Sequence, residues 1–167
     1  MASITLSSMR AVARPAMLRM AAPRAVSRTF STTRLAMIKR YTRDHEWIDL
    51  SADRKRATIG VSEYAAKELG DVVYVELPIV GEVIEQGDAM GAVESVKSAS
   101  DINAPIRCKI TDGNAALEAK PSTINDVPED DSNGGGWIAK VEVDEAGAKQ
   151  FDELMDAEAY KAFIAEE

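Results

Sequence analysis

The chain has few of the residues from which covalent catalytic sites and metal sites are built. Among its 167 residues, Cys108 is the only cysteine and His45 the only histidine. An internal disulfide and a cysteine-rich zinc cluster are therefore excluded, and no choice of partners exists for a Cys-His or Ser-His-Asp catalytic set. A lone thiol fits a reducing compartment, and we interpret Cys108 as a structural or incidental residue.

Long apolar runs are also absent. The longest uninterrupted ones are a handful of residues, whereas a helix needs roughly 20 apolar residues to cross a bilayer. We therefore expect no transmembrane helix. The hydrophobic content of 46% is nevertheless high enough for one compact domain with a sizeable core.

Acidic residues are missing from the start of the chain. The first is Asp44, whereas residues 1–40 contain eight basic residues together with many serines and alanines. This composition is typical of a mitochondrial transit peptide. We assign residues 1–37 to it, with removal between Phe30 and Ile38, and expect the mature protein in the mitochondrial matrix. The alternative is a basic tail that stays attached and binds acidic partners.

The rest of the chain has the opposite charge. Residues 41–167 contain 12 basic and 28 acidic residues, a net charge of −16. Such a surface repels nucleic acid and anionic membranes, so we expect neither as a partner, and it speeds association with proteins that present basic patches. The alternative is that the acidic residues serve only solubility.

Several short segments carry clear signals of secondary structure. The segments "HEWIDL" and "ATIGV", separated by a charged turn, predict a hairpin with Trp47, Leu50, Ile59 and Val61 in the core. In "SEYAAKELG", Ser62 can cap a short helix with an apolar face, and Gly70 can end it. The stretch from "DVVYVELP" to "AVESVK" predicts a meander of strands, and "SASDINAPI" and "CKIT" predict further strands.

The second half of the chain predicts a loop, a strand and two helices. Residues 118–136 are predicted to be a polar loop, and "WIAKVEV" alternates so that Trp137 points inward and Ile138 outward. The C-terminal apolar spacing predicts two helices, the second capped by Asp156. Together these segments predict seven or eight short strands in a β-sandwich or flattened barrel with a helical C-terminal cover.

A search for catalytic motifs finds little. The glycines match neither a P-loop nor a dinucleotide-binding turn. Ser95 and Lys97 are two residues apart, so the Ser-x-x-Lys spacing of serine acyl-enzymes is missing and a hydrolase is disfavoured. No pattern singles out two of the many carboxylates as a general acid and base.

Lys97 is the one residue with an unusual setting. It is the only cation in "GAVESVKSASDINAP", and its neighbours are small. If Val96 and Lys97 form the tip of a hairpin, the amine projects freely and another enzyme can reach it. On pattern alone, an inert surface lysine is the simpler interpretation.

A resemblance to a known family changes that interpretation. The segments "YTRDHEW", "GDVVYVELP", "AVESVKSASD", "GGGW" and "LMDAEAYKAFI" occur here in this order, and they closely resemble the glycine cleavage system H protein family. The likeness covers nearly everything from residue 40 to residue 167. It implies a barrel-sandwich hybrid of two small antiparallel sheets, of the biotinyl/lipoyl-carrier type, in a lipoyl-carrier domain at residues 38–167.

The resemblance also implies a function and a set of site residues. The family is a non-enzymatic carrier with lipoic acid in amide linkage on the lysine of "ESVKS", here Lys97, flanked by Val96 and Ser98. Glu94 resembles the acid that lipoate-attaching enzymes read, and Gly81 matches a family turn glycine near the hairpin. Glu46 matches an acid of the cleft that shelters the loaded arm, the alternative being an ordinary exposed acid.

The implied partners are enzymes that act on one carried group. Members of the family shuttle an aminomethyl group from the pyridoxal-phosphate-dependent glycine decarboxylase to the tetrahydrofolate-dependent aminomethyltransferase. Dihydrolipoamide dehydrogenase then reoxidises the lipoyl arm. We expect a monomer. The alternatives are a lipoyl or biotinyl domain of a 2-oxo-acid dehydrogenase or carboxylase, which favour "DKA" or "MKM" at the lysine, and an acidic interaction module without a cofactor.

One departure from the family pattern concerns the second half of the lysine hairpin. Lipoyl domains usually have a glycine eleven residues after the lysine, and this chain has Cys108 there. A cysteine in that position is strained if the backbone has a positive φ. The acidic loop that includes residues 128–136 is also longer than usual.

Overall fold

The computed structural model describes residues 38–166. The predicted transit peptide, residues 1–37, lies outside the described residues, so that assignment stays a prediction. The described part contains nine strands and five short helices, one or two strands more than the pattern predicts. The strands are β1 (Ile38–Tyr41), β2 (Glu46–Leu50), β3 (Arg56–Val61), β4 (Val72–Glu76), β5 (Val83–Ile84), β6 (Ala89–Ser95), β7 (Ala99–Asn103), β8 (Cys108–Gly113) and β9 (Ala139–Val143). The helices are α1 (Glu63–Leu69), α2 (Ala116–Ala119), α3 (Thr123–Asp126), α4 (Glu145–Glu153) and α5 (Ala157–Ile164).

The strands form two antiparallel sheets. The larger has six strands in the order β1-β2-β3-β9-β8-β5, and the smaller has three in the order β4-β6-β7. This arrangement confirms the predicted fold class, a mainly β carrier-type domain of two small sheets. The two C-terminal helices pack against the larger sheet, α4 beside the interior strand β9 and α5 beside the edge strand β1.

Local sequence signals account for the hairpin of β2 and β3 and for helix α1. Glu46 pairs with Val61 and Leu50 with Ala57, and all four predicted core residues of this hairpin are buried. The Ser62 hydroxyl accepts the amide of Ala65 and caps α1. Gly70 ends the helix with a φ of 76°, a conformation that residues with a Cβ rarely adopt.

The predicted meander is wrong. Strand β4 pairs with β6, whereas β5, which lies between them in sequence, pairs with β8 in the other sheet. The chain therefore crosses between the sheets in the turn at residues 77–82. Hydrophobic periodicity identifies strands but does not say which strand each one pairs with, and that is why the pattern missed the crossover.

Two other local predictions need correction, and strand β1 is an element that the sequence pattern does not predict. The predicted loop at residues 118–136 contains helix α3, which buries Ile124 completely. The alternation in "WIAKVEV" predicts that Ile138 points outward, but its side chain is fully buried. Ile138 precedes β9, and its amide donates to the carbonyl of Ile59 at 2.8 Å. The alternation of side chains along β9 therefore does not apply to Ile138.

The core has a large aliphatic part between the sheets and a smaller aromatic cluster. The aromatic cluster consists of Tyr41, Trp47, Trp137 and Tyr160. Tyr41 and Tyr160 stack with ring centroids 4.3 Å apart, which attaches α5 to β1. The Asp156 side chain caps α5 by accepting the amides of Glu158 and Ala159, as the sequence predicted.

Candidate functional site

Lys97 lies at the tip of the hairpin that joins β6 to β7. The tip consists of Val96, Lys97 and Ser98, and all three are exposed, Val96 by 67%. The turn bends sharply because the Ser95 amide donates to the carbonyl of Ser98 at 2.8 Å. The smaller sheet therefore presents the lysine at one of its ends.

The backbone of this tip is held firmly. The Ser95 hydroxyl oxygen accepts the amides of Lys97, at 3.1 Å, and Ser98, at 3.0 Å. The Val96 amide donates to the carbonyl of Asp71 at 3.1 Å, which ties the tip to the turn between α1 and β4. Asn125 braces that turn, because its amide group donates to the carbonyl of Gly70 and accepts the amide of Val72.

The charged end of the Lys97 side chain, by contrast, is not held by any of the residues that the structure describes. Within residues 38–166, no hydrogen bond or ion pair engages its ammonium group. Its stem passes over Gly70, where a Cβ would come within 2.9 Å of Lys97 Cε. A rigid backbone with a free amine is the arrangement that a covalent attachment site requires, since the amine must enter another enzyme while the fold stays intact.

A cleft of about 210 Å³ begins beside this tip. One wall is lined by Ser98 of the tip and by Ser100 and Ile102 of β7. Helix α1 contributes Ala65, Glu68 and Leu69. The floor is formed by the turn before β2. The lining residues are Asp44, His45, Glu46, Val61, Ala65, Glu68, Leu69, Val93, Ser98, Ser100, Asp101 and Ile102.

Glu46 lies at the floor of the cleft and is only 2% exposed, so its interpretation as an ordinary exposed acid is wrong. One carboxylate oxygen accepts the backbone amide of Asn103 at 2.9 Å, and the other accepts the hydroxyl of Thr42. Burial raises the pKa of the Glu46 carboxyl, and the two hydrogen bonds oppose that shift. A cation that entered the cleft would find a preformed acceptor.

A sequence model of the family described as Glycine cleavage H-protein matches residues 39–167. The chain belongs to this family. The family's members are carrier proteins of the glycine cleavage system and not catalysts.

Individual relatives agree with this assignment. The chain is 49% identical to the glycine cleavage system H protein of Phenylobacterium zucineum over 75% of its own length and 98% of the relative. It is 44% identical to glycine cleavage system H protein 2, mitochondrial, of Arabidopsis thaliana over 84% of each chain. The crystal structure of a Mycobacterium marinum glycine cleavage system H protein superposes with a TM-score of 0.66 at 35% identity, covering 76% of this chain and 96% of that one.

The two other positions that the resemblance singles out differ in their placement. Glu94 is exposed on β6, where it lies between Tyr74 of β4 and Ala99 of β7, two residues before Val96. Gly81 has a φ of 93°, and its amide donates to Ile110 of β8 at 2.8 Å. Gly81 is thus held by the larger sheet, whereas Glu94 shares a strand with the approach to Lys97.

The departure from the family pattern at Cys108 causes no backbone strain. Cys108 opens β8, paired with Ile84 on one side and Val143 on the other, and the residues other than glycine with positive φ are His45 and Arg54 among those described. Cys108 is 2% exposed. Burial raises the pKa of its thiol to about 11, so it lies in the core as an unreactive thiol.

Sequence reasoning missed two features of the site. Gly70 was interpreted only as a helix terminator, yet it also gives the Lys97 stem room. His45 was considered only as a lone histidine, yet it lines the cleft beside Glu46. Its position next to Glu46 in "DHEW" was the one available signal for the second feature.

The part of the chain that the structure describes supports neither a metal site nor a membrane-spanning helix. Residues 38–166 contain no cluster of three or more histidine, cysteine, aspartate or glutamate side chains that could hold a metal ion. None of the helices described is long and apolar enough to cross a membrane.

Proposed function

We propose that this protein carries lipoic acid in amide linkage on Lys97. The observation that supports this proposal is the contrast at the hairpin tip. The tip amides donate to the Ser95 hydroxyl oxygen and to the Asp71 carbonyl, which holds the backbone, whereas no hydrogen bond or ion pair within residues 38–166 engages the ammonium group. When attached, the dithiolane ring supplies a nucleophilic thiol and a two-electron redox couple, which the buried Cys108 does not.

The residues near Lys97 are proposed to serve the attachment step. Glu94 is exposed on β6 two residues before the tip and would be read by the lipoate-attaching enzyme, while Val96 and Ser98 keep the approach open. Gly81 would shape a turn of the larger sheet. Among the proposed site residues it has the least direct link to Lys97, because its amide donates to Ile110 of β8 and not to the hairpin that carries the lysine.

The cleft is proposed to shelter the carried group. Ser98 brings its opening next to Lys97, and Glu46 at its floor would accept a hydrogen bond from the ammonium-like nitrogen of an aminomethyl cargo. The apolar side chains of Val61, Leu69 and Ile102 would keep water away from that nitrogen.

The proposed role in the cell follows from the family. The protein would shuttle an aminomethyl group from a pyridoxal-phosphate-dependent glycine decarboxylase to a tetrahydrofolate-dependent aminomethyltransferase, with reoxidation by dihydrolipoamide dehydrogenase. It would act as a monomer in the mitochondrial matrix after removal of residues 1–37. The mature unit would then be a single lipoyl-carrier domain, residues 38–167.

A Lys97→Arg variant tests the proposal. Arginine keeps the positive charge but offers a guanidinium in place of the amine, so lipoylation and complementation of a glycine-cleavage deficiency should both be lost. Because Lys97 is exposed, the free energy of unfolding should change by less than about 0.5 kcal/mol. Lys67→Arg, another exposed lysine-to-arginine change, is the matched control and should complement fully. Full complementation by Lys97→Arg would refute the proposal.

A further inference from the structure

The turn that carries Glu46 into the cleft contains a residue in an unfavourable backbone conformation. His45 has a φ of 70°, in the left-handed region that side chains other than glycine rarely adopt. Such a conformation persists only where the surroundings hold it. The contacts of His45 therefore determine how Glu46, the next residue, is presented.

Hydrogen bonds and ring contacts are among the interactions that hold His45. Its carbonyl accepts the Ser62 amide at 2.8 Å. Its Nδ1 lies 2.9 Å from the Tyr160 hydroxyl, within hydrogen-bonding distance. Its ring also packs against Tyr64 and Phe163, with centroid distances of 4.7 Å and 5.9 Å.

The Tyr160 hydroxyl connects two of these contacts. It lies 2.7 Å from the hydroxyl oxygen of Ser62, the same oxygen that caps α1 by accepting the Ala65 amide. Ser62, Tyr160 and His45 thus form a closed hydrogen-bonded ring that joins α1, α5 and the turn before β2. The Tyr160 ring is itself fixed, because it is 5% exposed and stacks on Tyr41.

We propose that Tyr160 is a positioning residue of the cleft: its hydroxyl holds His45 in the left-handed conformation and so holds the Glu46 carboxylate at the cleft floor. Tyr160 does not line the cleft itself and acts through His45. The consequence is that the C-terminal helix belongs to the site. The inference rests on the proposed function only in that Glu46 is taken as the acceptor for the cargo.

The first test uses the whole chain without an attached lipoyl group. The titration of the Glu46 side-chain carboxyl is followed by carbon-13 NMR in the wild type, in Tyr160→Phe and in Tyr41→Phe. Both variants remove one buried hydroxyl and keep the ring, but the Tyr41 hydroxyl donates to Glu129 and not to the His45 turn. Tyr41→Phe therefore controls for a general loss of packing.

We expect the Glu46 titration midpoint to fall toward its ordinary value of 4.5 in Tyr160→Phe, because a loosened turn admits water to a buried carboxyl. The midpoint should stay unchanged in Tyr41→Phe. In a His45→Gly background, which removes the ring, Tyr160→Phe should cause no further shift. An unchanged midpoint in Tyr160→Phe, an equal shift in Tyr41→Phe, or a full further shift in the His45→Gly background would overturn the inference.

A second measurement separates this inference from the proposed function. In lipoylated, aminomethyl-loaded protein, the spontaneous loss of the carried group should be several-fold faster in Tyr160→Phe than in Tyr41→Phe. If the Glu46 midpoint falls and the loss rate does not change, Tyr160 positions Glu46 as inferred, but the cleft does not shelter the cargo. If the midpoint does not move, the positioning role fails whatever the loss rate.

Discussion

Glu46 shows at the scale of one residue how burial and function meet. The sequence left open whether this acid is exposed or lies in a cleft, and its pairing with Val61 in the hairpin alone does not decide the matter. The structure buries it, and the Asn103 amide at the end of β7 donates to its carboxylate, which compensates part of the cost of burial. That partner is 57 residues away in sequence, so no local pattern could have predicted the contact.

The raised pKa of Glu46 predicts a pH dependence of stability. In the folded protein, the Glu46 carboxyl keeps its proton at pH values above 4.5, its ordinary pKa. Its contribution to the free energy of unfolding is therefore fully present below pH 4.5 and is lost as the pH rises through the pKa of the folded state. We therefore expect Glu46→Gln to gain in free energy of unfolding relative to the wild type as the pH is raised from 4 towards neutrality.

Chemical denaturation of both proteins across this range measures the difference. The glutamine keeps one oxygen for the Asn103 amide and loses the oxygen that accepts the Thr42 hydroxyl. That loss is the same at every pH, so the pH dependence of the difference isolates the ionisation of residue 46. A difference between the two proteins that is constant with pH, or that shrinks as the pH rises, would contradict the assigned direction of the pKa shift.

At the scale of single elements, prediction succeeded where the signal is local. Ser62 caps α1 and Asp156 caps α5, and each side chain accepts backbone amides two or three residues ahead. Both partners of each cap therefore lie within one short segment of the sequence. It failed where a partner is distant. Strand β5 pairs with β8, and Ile138 bonds to Ile59 across the sheet.

The cap of α5 can be tested directly. We expect Asp156→Ala to lower the free energy of unfolding by about 1 kcal/mol, because two amides of the first helical turn lose their acceptor. Ser122→Ala is the matched control, since Ser122 precedes α3 without a capping side-chain bond and its loss should cost much less. Equal losses in urea denaturation of the two variants would show that the Asp156 cap contributes nothing.

At the scale of the whole molecule, the distribution of charge was predictable and the assembly of the site was not. Counting residues is enough to find the net charge of −16 over residues 41–167. The cleft, by contrast, combines α1, β3, β6, β7 and the turn before β2, and only the resemblance to a known family placed Glu46 and Lys97 in one site. Composition has no information on which elements become neighbours in space.

The acidic surface predicts salt-sensitive association with partner enzymes. Raising the ionic strength from about 0.01 M to 1 M shortens the Debye length from about 30 Å to about 3 Å, which removes long-range steering. The association rate constant with an aminomethyltransferase, measured by stopped-flow, should therefore fall steeply with added salt, with a smaller change in the dissociation rate. An association rate that is the same at low and high salt would exclude electrostatic steering.

The central claim is that Lys97 is the anchor of a lipoyl group, and a peptide map of the mature native protein tests it most directly. Mass spectrometry should find a lipoyl amide on the peptide that contains Lys97 and should place the new N-terminus between residues 30 and 38. An unmodified Lys97 in a preparation that fully supports glycine cleavage would contradict the account.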